Sequence, residues 1–189
     1  MKRVELRFYL DRRARPAVVE GIATGIAVLL HDVRTPFHAI QRNWFDMALL
    51  ERFLLTEAGT IDADLYLQLM RNYQAAVRNG FIIDNAHWDV VITAHRLSRF
   101  AAPELPHFGM HCGGLTAGSA ANGALLFSSH DFAAEEPEKA NRQGILAGYR
   151  EACRLTEARN CDDPACIHAV EFDSRAALEH FTALFAEQE

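Results

Sequence analysis

The chain has 189 residues, half of them hydrophobic, the size of one domain that buries roughly 70% of its unfolded surface without needing a metal or disulfide merely to fold. Its formal net charge is −6, with both signs mixed along the chain. No basic run or stripe marks a nucleic-acid groove or an anionic membrane surface, so neither partner is expected.

Arg3 to Leu10 alternates as a strand, with Val4, Leu6 and Phe8 on one face, and lacks the apolar core of a signal peptide. Pro16 suits a first helical turn, and Val19, Ile22, Ile26, Leu29 and Leu30 continue at helical spacing. The apolar stretch Ala17 to Leu30 is broken by Glu20 and two glycines and is too short to span a bilayer. Arg34 to Ile40 reads as a short second strand. A helix from about Asn43 to Thr56 follows, its stripe formed by Phe45, Leu49, Leu50, Phe53 and Leu54. Asp62 caps a further helix to about Arg78, which Asn79-Gly80 ends.

Trp88 to Ala94 is a strand by its β-branched run. Pro103 to Ser119, with two prolines and several glycines, reads as a loop, and Ala124 to Ser128 as a short buried strand. Pro137 opens a long helix reaching about Arg159, and Ser174 caps a last one to Ala186. No repeat, low-complexity segment or linker interrupts this order. The expectation is one α/β domain over residues 1–189. Cys112, Cys153, Cys161 and Cys166 make a poor disulfide framework, no Asn-x-Ser/Thr acceptor is present, and the expected location is cytoplasmic.

Arg150 to His168 carries the most chemical information. Metzincin-type zinc peptidases place His-Glu-x-x-His on a helix, then x-x-Gly-x-x-His. Imidazoles at i and i+4 share a helix face and reach one ion, while the Glu serves as general base for the metal-bound water. In archaemetzincins the third His is followed at once by Cys, then four residues, Cys, one residue and Met. Laid on that pattern without a gap, Glu151, Cys161 and Cys166 match, and the segment resembles an archaemetzincin signature. Arg150, Arg154 and Asn160 stand at its three His positions, Glu157 at the Gly and His168 at the Met. Upstream, Trp88 to Thr93 looks like the strand that precedes the family's edge strand, and Gly118 to Ser129 like the edge segment itself.

The resemblance implies a metzincin-like α/β fold, with a small mixed sheet, helices packed on it and a long signature helix near 138–159. It places Glu151 at the general-base position and implies that zinc catalysis is lost. Guanidinium groups offer no lone pair, and Asn160 is a poor ligand. A four-cysteine structural zinc site does not form in the family's way, because no Cys follows Cys166. No cofactor is expected. The function implied is a non-catalytic binding or regulatory module; the alternative is a hydrolase whose site has been rearranged.

Several residue readings stay open. Arg150, Glu151, Arg154 and Glu157 form either an exposed, salt-bridged helix face, the usual fate of a charge run, or a cleft in which Arg150, Arg154 and Asn160 grip a carboxylate or phosphate. The ligand would then be a small anion, a peptide or a protein. Cys161, Cys166 and His168, with Cys153 or His180, have a zinc-like ligand set without a second paired motif. Cys161 with Cys166 is also a local disulfide candidate. His107 and His111-Cys112 fall in the predicted loop, and Cys112 or Cys153 is the thiol of any Cys/His nucleophilic pair. His31, His38, His87, His95 and His130 are scattered and read singly as core or surface histidines.

Overall fold

The computed structural model describes residues 3–41, 47–82, 87–100, 108–113, 122–132 and 136–156. Strand β1, Val4–Leu10, alternates as its pattern requires: Val4, Leu6 and Phe8 are buried on one face while Glu5 and Arg7 sit half-buried on the other. Helix α1, Pro16–Asp32, starts on its proline and turns Val18, Ile22, Ile26, Leu29 and Leu30 inward. It closes in a Schellman-type turn, Thr35 N–H to Leu30 C=O at 2.8 Å and Arg34 N–H to His31 C=O at 2.9 Å. The left-handed position of that turn is taken by Arg34 at φ 53°, where glycine is usual. Strand β2, Phe37–Gln41, then pairs parallel to β1.

Helix α2, Met47–Leu54, leads through the two-residue strand β3, Ile61–Asp62, into helix α3, Ala63–Arg78. Asp62 caps α3 by accepting from the Leu65 N–H at 2.9 Å. Strand β4, His87–Thr93, pairs parallel to β1 on the side away from β2. The short β5, Leu97–Ser98, pairs with β3.

Strand β6, Gly109–Gly113, is antiparallel to β7, Gly123–Ser128, and β7 is parallel to β4. Helix α4, Pro137–Leu155, completes the described elements. The sheet order is β2-β1-β4-β7-β6, so the sheet is mixed, with one antiparallel strand at its edge. Two expectations are corrected here. The segment read as a loop from Pro103 to Ser119 contains β6, which lies at one edge of the described sheet, opposite β2. The Gly118–Ser129 segment, read as the edge, instead supplies the interior strand β7.

Helices α1 and α4 share one face of the sheet, over Val4, Leu6, Phe8, Trp88, Val90 and Phe127. The other face packs Tyr9, Val91, Met110 and Leu126 under Leu54 of α2 and Tyr66 and Leu67 of α3. Helices α1 and α4 meet backbone to backbone at Gly21 and Gly25 on one and Gly144 and Gly148 on the other. A methyl on Gly25 would lie 2.1 Å from the Ile145 carbonyl oxygen, and one on Gly148 2.3 Å from that of Ile22. Among the described residues no helix is long and apolar enough to cross a membrane.

Candidate functional site

The glycine contact fixes how α4 lies on the sheet, and the helix turn after Gly148 carries Arg150, Glu151 and Arg154. Arg150 and Glu151 are each only 6% exposed. The exposed, solvated face expected of this charge run is therefore corrected for both residues. Strand β6 lies across this turn of α4 and covers it. Gly109 makes the close approach possible, since a Cβ there would meet the Phe127 ring at 2.6 Å and Glu151 Cγ at 3.0 Å.

Strand alternation turns His111 toward α4 while Met110 and Cys112 enter the opposite core. Its Nδ1 lies 2.8 Å from Glu151 Oε2. Arg154 Nη1 lies 3.8 Å from Glu151 Oε1, a looser ion pair one helix turn on. The carboxylate is thus held between an imidazole and a guanidinium, with the imidazole side chain 29% exposed toward solvent. The arrangement suits orientation of the His111 ring and neutralisation of a buried acid.

Other candidates are placed elsewhere. Cys112 is buried, and burial pushes its thiol up to about 11 despite the Arg71 charge and a Gln74 hydrogen bond. It is overwhelmingly a protonated thiol at neutral pH and faces away from His111. Cys153 is buried in the core shared by α1 and α4. His87 is buried, with Nε2 3.1 Å from Asp89 Oδ2. His38 faces Glu5 at 3.3 Å, while His31 and His130 are exposed. Asn160, Cys161, Cys166, His168, Glu157, His107 and His180, with the predicted helix 174–186, lie outside the described residues.

The partner of Glu151 was the part that spacing on α4 does not reveal. One signal was available. Gly109-Met110-His111-Cys112-Gly113 alternates small or polar with apolar residues, a period-two pattern that turns His111 to one face.

No family model matches the chain, and no curated protein matches it. Solved structures do. The archaemetzincin of Methanopyrus kandleri superposes with a TM-score of 0.62 at 14% identity, over 98% of this chain and 94% of that one. The archaemetzincin of Archaeoglobus fulgidus, solved in complex with malonate, gives a TM-score of 0.55 at 9% identity over 94% and 91%. At these identities the likeness concerns architecture, and over nearly its whole length the chain has the fold of the archaemetzincin metallopeptidases.

Proposed function

We propose that this chain keeps the archaemetzincin fold as one domain over residues 1–189, without zinc-peptidase chemistry, and serves as a binding or regulatory module. The supporting observation is the state of Glu151. A general base for a metal-bound water needs a carboxylate facing an open coordination site between imidazoles. Here the carboxylate is buried under β6 and engaged by His111 at 2.8 Å. The flanking ligand positions are Arg150 and Arg154, whose guanidiniums have no lone pair to give. With Asn160 at the third position, the residues do not fit the zinc that the fold family implies, and no step is routed through it.

The ligand class that fits this face is carboxylate-bearing, a peptide, protein or small anion, with Arg154 as the more accessible charge. The malonate complex of the Archaeoglobus protein is in keeping with that class. A second reading, a hydrolase with a rearranged site, draws on the His111–Glu151 pair, because a carboxylate behind an imidazole orients it for proton transfer. A Cys/His version of that reading is disfavoured by the protonated, opposite-facing Cys112.

A fluorogenic peptide screen run with chelator, zinc and cobalt separates these outcomes. The expected result is no turnover in any condition. Metal-stimulated turnover abolished by Glu151→Gln overturns the proposal. Metal-independent turnover abolished by His111→Gln establishes the second reading instead.

A further inference from the structure

A second cluster of ligand-type side chains lies beyond the carboxyl ends of β1 and β4, two strands away from His111 on β6. Asp11 follows β1, His95 follows β4, and Glu51 comes across from α2. One ligand atom from each lies within 4.8 Å of the other two, and among the described residues no other His, Cys, Asp or Glu trio is this close. Their place in the topology is independent of their chemistry. After β1 the chain runs over one face to β2, and it returns along the other face to β4, so the order reverses between β1 and β4. In open α/β sheets, ligands bind in the crevice beyond the carboxyl ends of the strands at that reversal.

The cluster already holds a positive charge. Arg13 Nη2 lies 3.0 Å from Asp11 Oδ2 and 3.2 Å from His95 Nε2, and it also contacts Glu51 Oε1. A single cationic nitrogen therefore touches all three donors. The imidazole is given two incompatible tasks. His95 Nε2 is 3.1 Å from Glu51 Oε1, a contact that needs a proton on that nitrogen, whereas accepting from Arg13 needs a lone pair. A metal ion would use the lone pair and both carboxylates at once. Arg13, on the loop after β1, is 56% exposed and grips Asp11 at two points, Nε to Oδ1 and Nη2 to Oδ2, each at 3.0 Å, which an incoming ion would have to displace.

We propose that Asp11, Glu51 and His95 form a binding site for a divalent transition cation of the zinc or cobalt type, with the Arg13 guanidinium as its internal competitor. One imidazole with two carboxylates suits such ions better than magnesium or calcium. Two ligands bonded to one ion at about 2.1 Å each stand at most about 4.2 Å apart. At tetrahedral angles the spacing is about 3.4 Å, so closing the site from a spacing of up to 4.8 Å takes side-chain movements on the order of an ångström. Bound metal would pin α2 to the ends of β1 and β4. The site is separate from Glu151 and independent of the reading given for it.

The test is titration of the untagged full-length chain with cobalt(II) followed by absorbance, and with zinc(II) by equilibrium dialysis and thermal unfolding. The expected result is one equivalent bound, with a midpoint that rises with metal in the wild type and not in His95→Gln. Arg13→Gln, checked for folding by circular dichroism, should bind at least about ten-fold tighter, the factor expected if Arg13 leaves the site open about a tenth of the time. No uptake at millimolar metal by the wild type overturns the proposal, as does uptake unchanged in His95→Gln. A sulfur-to-cobalt charge-transfer band would assign the ion to cysteine and equally overturn it.

Discussion

Gly25→Ala tests the claim that α1 and α4 are held at backbone contact. By helix propensity alone the change should help, by up to about 1 kcal/mol in a helix interior. The structure reverses that sign. The new methyl would sit 2.1 Å from the Ile145 carbonyl oxygen and 2.7 Å from the Tyr149 amide nitrogen, both backbone atoms that no rotamer can move. Relief requires the helices to part by about an ångström, which loosens the close-packed layer of Ile22, Ile26, Leu146 and Ala147 beneath them. Overpacking of this kind costs about 1–3 kcal/mol, and a backbone clash belongs at the upper end. After the propensity gain a net loss of about 2 kcal/mol remains, or about 4–8 °C in Tm for a domain of this size. Thermal unfolding followed by circular dichroism measures it. Gly148→Ala, one methyl 2.3 Å from the Ile22 carbonyl oxygen, should behave alike. The double variant should lose less than the two singles together, because the first methyl has already opened the gap. A Gly25→Ala midpoint at or above wild type would refute the packing argument.

Three further outcomes follow from local chemistry. Burial works against ionisation of Asp11, but the Arg13 side chain and the backbone N–H groups of Arg13 and Ala94 outweigh it and hold the carboxyl below its usual range. Its stabilising contribution is therefore complete above the unfolded value of about 4 and lost as pH falls through the lower folded value. The Tm gap between wild type and Asp11→Asn should be widest near neutrality and close below about pH 4; a gap constant with pH would contradict it. Arg34→Gly should raise Tm by a few degrees, since Arg34 occupies the left-handed position of a Schellman turn at φ 53°, where a side chain costs about 1 kcal/mol. An unchanged or lower Tm would count against it. Cys112 should resist alkylation in the native protein at pH 8 and react on denaturation, with sites mapped by mass spectrometry. Native labelling at the rate of a free thiol would refute the burial argument.

The parts of the fold legible from sequence are those whose periodicity is undisturbed. The alternation of Val4, Leu6 and Phe8, the β-branched run in β4, and the prolines opening α1 and α4 each mark one element and its buried face. Strand β6 was hidden because it is only five residues long, begins and ends on glycine, and lies beside a proline-bearing stretch, which together read locally as a loop. The strands β3 and β5, two residues each, have no periodicity to detect. At the candidate site, spacing placed Glu151 on the general-base position of the family pattern, but its burial depends on a strand 40 residues away. Charged residues at helical spacing normally mean solvent, and the crossing of β6 over α4 makes Glu151 an exception. Asp11 and His95 stand 84 positions apart as numbered in the sequence and meet only because β1 and β4 end side by side.

The sheet order also dictates a timetable. β1 comes early in the chain, yet it is a central strand whose neighbours are residues 37–41 and 87–93. On a ribosome it therefore waits, with only one side coverable, until residues 87–93 have been made. The helix that seals its α1 face against water, α4, follows later still at 137–155. Early synthesis thus exposes a hydrophobic strand long before its partners exist, a pattern that slows folding and invites chaperones. Pulse-labelled chains arrested before residue 128 should remain protease-sensitive throughout, β1 included, and protection should appear as one late event once α4 has emerged.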